Sequence, residues 1–310
     1  MFGAGKVDTF LGLPACRDID QLEAAVAILG VPCATPYVSV GPYCAAAPDA
    51  IRAAIAGYAG RTHHMDFDLD GPLFPGDKVT ACDLGNLPFD ENEADGNRDL
   101  IRNTVGTILD RNTVPIVIGG DDSVPIPMIG AFAGTGQYTI VQIDAHIDWR
   151  DDVDGERWGL SSTMRRASEM DHIERIIQVG QRASGSARPE DFADALAWGA
   201  KFISARDIHA NGIEQVLDLI PDGANIIIAF DCDGLDPSIM PGVIGRAPGG
   251  LTYWQAIDLM HGIAARGRIA AFDLVEFMPE CDVDDMGALT AARIVVNAIG
   301  LAARQASPLA

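Results

Sequence analysis

Eight short apolar runs, six of them closed by Gly, Asp or Pro and most followed by a longer stretch with apolar residues at helical spacing, constrain this chain most. The runs cover residues 25–31, 79–82, 114–118, 138–143, 173–179, 201–204, 225–230 and 269–274. Several carry apolar residues on both alternating faces, as a strand covered on both sides must, and so predict a parallel sheet. Helices are expected over 48–58, 95–111, 189–198, 252–266 and 285–305, with Thr252 capping the fourth and Gly267 stopping it. Strand and helix alternate throughout, which predicts an α/β fold of three layers, with a mostly parallel sheet between two layers of helices. No linker-like stretch, internal repeat or low-complexity tract divides the 310 residues, so one domain is expected over 1–310.

In such a sheet ligands bind at the carboxyl ends of the strands, so acids placed there carry more meaning than acids on helices. The chain has 44 Asp and Glu against 22 Lys and Arg, a formal charge of -22. That balance repels phosphate backbones and anionic lipid, so no nucleic acid and no membrane partner is expected, and the acidity either marks small cations as the natural ligands or serves only to keep the chain in solution. The cysteines Cys16, Cys33, Cys44, Cys82, Cys232 and Cys281 form no C-x-x-C pair and read as reduced apolar fillers. The N-terminus lacks a basic segment followed by an apolar run, and no uninterrupted apolar stretch reaches about 18 residues. A cytoplasmic protein is expected.

Three runs end in acid. Gly119-Gly120-Asp121-Asp122-Ser123 follows 114–118, the glycines allowing a sharp turn that brings the carboxylates to the strand mouth. Asp144-Ala145-His146-Ile147-Asp148 follows 138–143, and if the backbone stays extended Asp144, His146 and Asp148 share a face. Asp231-Cys232-Asp233-Gly234-Leu235-Asp236-Pro237 follows 225–230, with Asp231 and Asp233 on one face. Any one cluster alone is as well explained by a helix cap or a turn, and a lone histidine by a hydrogen-bonded core residue. Together, Asp122, Asp144, Asp148, Asp231 and Asp233 at adjacent strand mouths would repel one another unless cations lay between them. Two divalent ions resolve that repulsion. Oxygen-rich ligation with the single His146 suits Mn²⁺, with Ni²⁺ or Co²⁺ as alternatives, and such a pair activates a water for attack on an electrophilic carbon.

These segments resemble the ureohydrolase family of arginase, agmatinase, guanidinobutyrase and formimidoylglutamase, with its G-G-D-H-S turn, D-A-H-x-D strand end and D-x-D-x-x-D-P segment. The likeness runs from GVP at 30–32 and PDAIR at 48–52, through RRA at 165–167 and GGLT at 249–252, to FDLVEFMP at 272–279. It implies an arginase-like fold, a trimeric or hexameric homo-oligomer, and hydrolysis of a small cationic guanidino substrate, agmatine or similar, to urea and an amine. It further implies that Asp144 and Asp231 bridge two metals, that His146 and Asp233 complete one site, and that Asp122 and Asp148 complete the other. Glu276 would pair with the guanidinium, and Asp148 would relay a proton to the leaving amine.

Two positions depart from the pattern. Asp122 stands where the family has a metal-binding histidine, and Leu160, in GERWGLSSTMRRA, where it has a proton-shuttling one. With Trp158, Leu160 gives the expected substrate pocket an apolar mouth, which also suits an alkylguanidine, guanidine itself or a biguanide. The acids Asp151, Asp152, Asp154 and Glu156 would either attract a second cationic group, as in agmatine, or form an exposed acidic loop. His63 and His64 would either cover the pocket or lie solvated at the surface. A reading of a different class is a catalytically idle subunit that supports an active paralogue in a hetero-oligomer.

Overall fold

The computed structural model describes residues 8–76 and 78–306. Residues 1–7, on which the expectation about a leader falls, lie outside the described residues, as do residue 77 and residues 307–310. Eight parallel strands form one sheet: β1 (Val26–Gly30), β2 (Ala81–Asn86), β3 (Val114–Ile118), β4 (Tyr138–Ile143), β5 (Ile173–Val179), β6 (Lys201–Ile203), β7 (Asn225–Asp231) and β8 (Arg268–Val275). Their spatial order is β2-β1-β3-β8-β7-β4-β5-β6.

Period-two alternation sends side chains to two separate cores. In β1, Val26 and Ile28 pack toward the helices Ala47–Ile55, Tyr253–Arg266 and Met286–Ala306, whereas Ala27 and Leu29 pack toward Ala94–Asp110 and Pro125–Gly130. All five residues of β1 are buried, as are those of β3 and β4. This two-sided covering is the α/β/α arrangement that the doubly apolar runs predict. The helix Met286–Ala306 is long and apolar enough to cross a membrane by length and composition, yet 78% of its most apolar window is buried inside the protein.

Boundaries move where polar residues continue a strand. β2 runs on to Asn86 although its apolar run ends at Cys82, because Asp83 is locked in place by Arg52 (Nε to Oδ2, 2.8 Å; Nη2 to Oδ1, 2.9 Å) and by the Phe10 amide. Thr252 caps its helix in a reciprocal box with Gln255. Gly267 stops that helix with extended backbone, and a Cβ there would lie 2.3 Å from the Ala224 carbonyl oxygen. Short helices at Pro125–Gly130, Thr163–Ser168, Ala205–Asn211 and Glu214–Leu217 escape the sequence reading because two turns or fewer leave no periodicity to see.

Candidate metal centre and substrate pocket

The carboxyl ends of β3, β8, β7 and β4 meet in the middle of the sheet. The expectation of three adjacent strand mouths needs a correction here, since β8 lies between β3 and β7 and adds Glu276 to the centre of the row. After β3 the chain turns through Gly119 and Gly120, both left-handed (φ 93° and 76°). A Cβ on Gly120 would stand 2.4 Å from Val124 Cγ2 and 2.8 Å from the Val31 oxygen, so only glycine fits. Asp121 turns inward to accept the Ser123 amide and hydroxyl, and Ser123 in turn accepts the Thr35 amide at 2.8 Å. Asp122 is therefore the acid of the pair that faces the site.

After β4 the strand conformation ends at Ile143, so Asp144, His146 and Asp148 do not converge by extended alternation. Bends bring them together, with Asp148 in the left-handed region at φ 43°. Glu276 is left-handed as well, at φ 65°. Two carboxylates outside the usual region for side-chain-bearing residues mark backbone held against local preference, a cost of about 1–3 kcal/mol each that the surrounding packing sustains.

Two groups of ligand atoms each fall within 4.8 Å of one another: Asp144, His146 and Asp233, and Asp122, Asp144 and Asp231. Asp144 belongs to both. His146 Nδ1 lies 3.0 Å from Asp233 Oδ2 and 3.4 Å from Asp144 Oδ1. Asp148 is tied to this pair through Gln142, whose Nε2 donates to Asp144 Oδ2 at 2.6 Å and to Asp148 Oδ2 at 2.8 Å. Backbone amides hold the remaining acids, Asp231 accepting from Asp233 N at 2.6 Å and Asp233 from Ala145 N at 3.0 Å.

Burial and mutual repulsion push Asp122, Asp144 and Asp231 well above the usual carboxylate range. Asp148 is also raised, chiefly by burial. For Asp233 burial acts in the same direction, but hydrogen bonding and attraction to His146 outweigh it and lower the group. Burial disfavours a charged His146 ring, yet Asp144 and Asp233 push it up to about 12. Acids with this much affinity for protons have high affinity for positive charge generally, and metal cations compete for the same atoms. Among the described residues the buried Asp122 Oδ2 accepts no hydrogen bond, and Asp273, fully buried on β8, adds to the field on Asp122. Divalent cations fit this donor set.

A cavity of about 240 Å³ opens onto the cluster. Its wall includes Asp122, His146, Asp148, Asp231, Asp233 and Glu276, and it continues past Leu160, Ser161, Arg150 and Ile244. Tyr43 donates its hydroxyl to both Glu276 oxygens, and the Asp122 amide donates to Glu276 Oε1 at 2.8 Å. Burial and the nearby Asp121 raise Glu276 to about 8 against the opposing pull of these donors.

Not every expected residue joins this cavity. Trp158 is a correction: it lines a separate groove of about 990 Å³ beside Ile126, Pro127 and Met170, with the Arg98 guanidinium 5.5 Å from its ring centre. Glu156, accepting the Trp158 amide at 2.8 Å, helps fix that turn. The acidic loop is engaged elsewhere too, Asp151 with Arg166 at 2.7 Å and Arg157 at 3.1 Å, and Asp152 with the Gly155 amide. His63 and His64 are exposed, and His64 lines a different surface pocket near Tyr58 and Arg293. Tyr43, Tyr37 and Arg150 gave no signal in the sequence. Gln142 and Gln178 did: each is a polar residue inside a strand buried on both faces, and Gln178 donates to Gln142 behind the acids.

An α/β/α fold whose central strands end in a buried Asp–His cluster defines a class of metal-binding enzyme scaffold, and sequence comparison places the chain within it. The Arginase family model matches residues 24–300, and the chain belongs to that family, whose members are metal-dependent amidinohydrolases with a binuclear divalent metal centre. Guanidinobutyrase of Pseudomonas aeruginosa is 29% identical over 71% of this chain and 70% of that protein. N(1)-aminopropylagmatine ureohydrolase of Thermus thermophilus is 30% identical over 71% of this chain and 73% of that protein. Among solved structures, formimidoylglutamase of Bacillus subtilis superposes with a TM-score of 0.82 at 26% identity, covering 96% of this chain and 92% of that one.

Proposed function

We propose that this protein is a binuclear-metal amidinohydrolase that cleaves a small guanidino compound, agmatine or a similar molecule, to urea and an amine. The observation that carries the reading is the meeting, in one cavity, of the Asp–His cluster with Glu276, a separate carboxylate clamped by Tyr43 and the Asp122 amide. Asp122, Asp144, His146, Asp148, Asp231 and Asp233 would hold the two cations. Mn²⁺ suits the donor set best, with Ni²⁺ and Co²⁺ as alternatives. When bound, such ions supply a nucleophilic water at neutral pH and polarise the carbon it attacks.

The chain's own groups do the rest. Glu276 accepts N–H groups of the planar guanidinium and sets its orientation, as charge-assisted pairing favours. Asp148, oriented by Gln142, takes a proton during attack and returns it to the departing amine nitrogen. Leu160 on the cavity wall has no titratable group to share this work, and both transfers are assigned to Asp148. Leu160 and Ile244 also support a second reading with the same chemistry, in which the substrate is an alkylguanidine, guanidine or a biguanide. The two relatives are named for different guanidino substrates, so their similarity leaves the tail of this substrate open.

The test is metal content of the purified protein together with urea release from agmatine, arginine, 4-guanidinobutyrate, methylguanidines and biguanides. Two ions per chain with turnover of one guanidine is the expected result. Full metal occupancy without urea from any of them overturns the reading.

A further inference from the structure

The chemistry of the substrate's far end is written in the wall of the cavity, and this inference rests on the amidinohydrolase reading for its reacting end. Arg150 lines the cavity two residues beyond Asp148. Its amide donates to the Ser161 carbonyl at 3.0 Å, which ties it to the segment bearing Leu160. That segment is wedged from behind by Tyr37, whose ring would collide with any Cβ at Gly159 (2.0 Å) and whose hydroxyl accepts the Ser161 amide at 3.3 Å. Arg150 is thus mounted on a backbone with little freedom to swing away.

Its guanidinium has no carboxylate within ion-pairing distance among the described residues. Four other arginines around the cavity do: Arg157 and Arg166 share Asp151, Arg165 reaches Glu169 and Asp194, and Arg188 grips Asp191 through two nitrogens at 2.6 and 2.7 Å, while Arg182 is spent on backbone carbonyls. This matters doubly in a chain with twice as many acids as bases. Asp191, the cavity's one acid outside the metal cluster and Glu276, is neutralised by Arg188. The outer wall therefore offers an unpaired cation and no free anion. A substrate tail ending in an ammonium would be repelled there, whereas a carboxylate would meet a planar donor fork suited to bidentate binding.

We infer that Arg150 is a specificity-determining residue that takes the carboxylate of an ω-guanidino acid, with the guanidinium end on Glu276 and the metal cluster, which narrows the proposed substrate from agmatine to a compound of similar length whose far end is an acid. The carboxylate replaces the water around Arg150, and the two charged ends of the substrate fix its register in the cavity. Cationic tails are disfavoured by the same residue, so a single side chain supplies both attraction and exclusion.

The test uses the full-length, metal-loaded protein and three probes of similar length: 4-guanidinobutyrate, agmatine and neutral butylguanidine. Calorimetric Kd and kcat/KM are measured for wild type, Arg150→Gln and Arg150→Glu. Wild type should favour 4-guanidinobutyrate over agmatine. Arg150→Gln should shrink that preference by about 10- to 100-fold, the range for losing a hydrogen bond to a charged group, and Arg150→Glu should reverse it. Equal or better use of agmatine by wild type, no binding of 4-guanidinobutyrate, or an unchanged ratio in Arg150→Gln overturns the assignment. If 4-guanidinobutyrate binds in an Arg150-dependent way and no probe releases urea, Arg150 keeps its role and the amidinohydrolase reading fails instead. If agmatine releases urea and the ratio is unchanged in Arg150→Gln, the amidinohydrolase reading stands and Arg150 loses its role.

Discussion

Tyr43 donates its single hydroxyl proton to Glu276 from 2.7 Å off each carboxylate oxygen, although 233 residues separate the two in sequence. The loop after β1 thereby clamps the acid at the end of β8, while the Asp122 amide holds Oε1 and the Glu276 amide donates to the Gly120 carbonyl at 2.9 Å. The result is a carboxylate with a fixed plane at the centre of the sheet. Tyr43→Phe should lower kcat/KM for the preferred guanidine about 10- to 100-fold, mostly through KM if Glu276 acts in binding. Steady-state kinetics beside a melting curve separates that loss from unfolding, and unchanged kinetics would remove Tyr43 from the site.

Asp122 presents a buried oxygen with no partner to the cluster that it shares with Asp144 and Asp231. Asp122→Asn should reduce bound metal from two ions per chain toward one, because an amide is a poorer ligand for a hard cation than a carboxylate. Asp122→His should keep two ions while shifting preference toward borderline metals. Elemental analysis after dialysis against Mn²⁺, Ni²⁺ and Co²⁺ in turn reads both effects.

Asp148 is oriented by Gln142 and sits on strained backbone at φ 43°. Asp148→Asn should cut kcat by about 10²- to 10⁴-fold, the span of general acid–base contributions, with the far-ultraviolet spectrum retained. An undiminished rate would remove the proton-transfer role. Leu160→His, in the same wall, should raise the rate or alter the pH profile if a shuttle there is rate-relevant, and indifference would show that the existing path suffices.

Arg52 lies on the helix Ala47–Ile55, buried against Asp83 by two hydrogen bonds and against Asn86 by a third. Arg52→Met leaves Asp83 as an unpaired buried charge, although Asp83 still accepts the Phe10 and Gly85 amides. The expected cost is about 3–5 kcal/mol. Urea unfolding reads it as a lowered midpoint with an unchanged slope.

Much of this molecule is legible in its residues because a parallel strand covered on both faces must be a continuous apolar run. All eight runs overlap strands of the sheet, and the acids that close three of them form the cluster. Gly119 and Gly120 announce the turn that delivers Asp122, since no side chain fits there. Trp158 lies elsewhere than expected, and the acids at 151–156 take the exposed-loop alternative, because they sit in a loop, where neither period two nor period 3.6 says which way a side chain points.

Residue order was enough to specify the strands, their succession along the chain and the identity of the acids at their ends, since these follow from local patterning and backbone sterics. It took the packed molecule to insert β8 between β3 and β7, to bring Tyr43 to Glu276, and to place Arg150 in the cavity wall while Arg157 and Arg166 pair with Asp151. Those relations join residues far apart in the chain. They are set by how helices and loops pack over a finished sheet, a competition among many contacts that no short stretch of residues encodes.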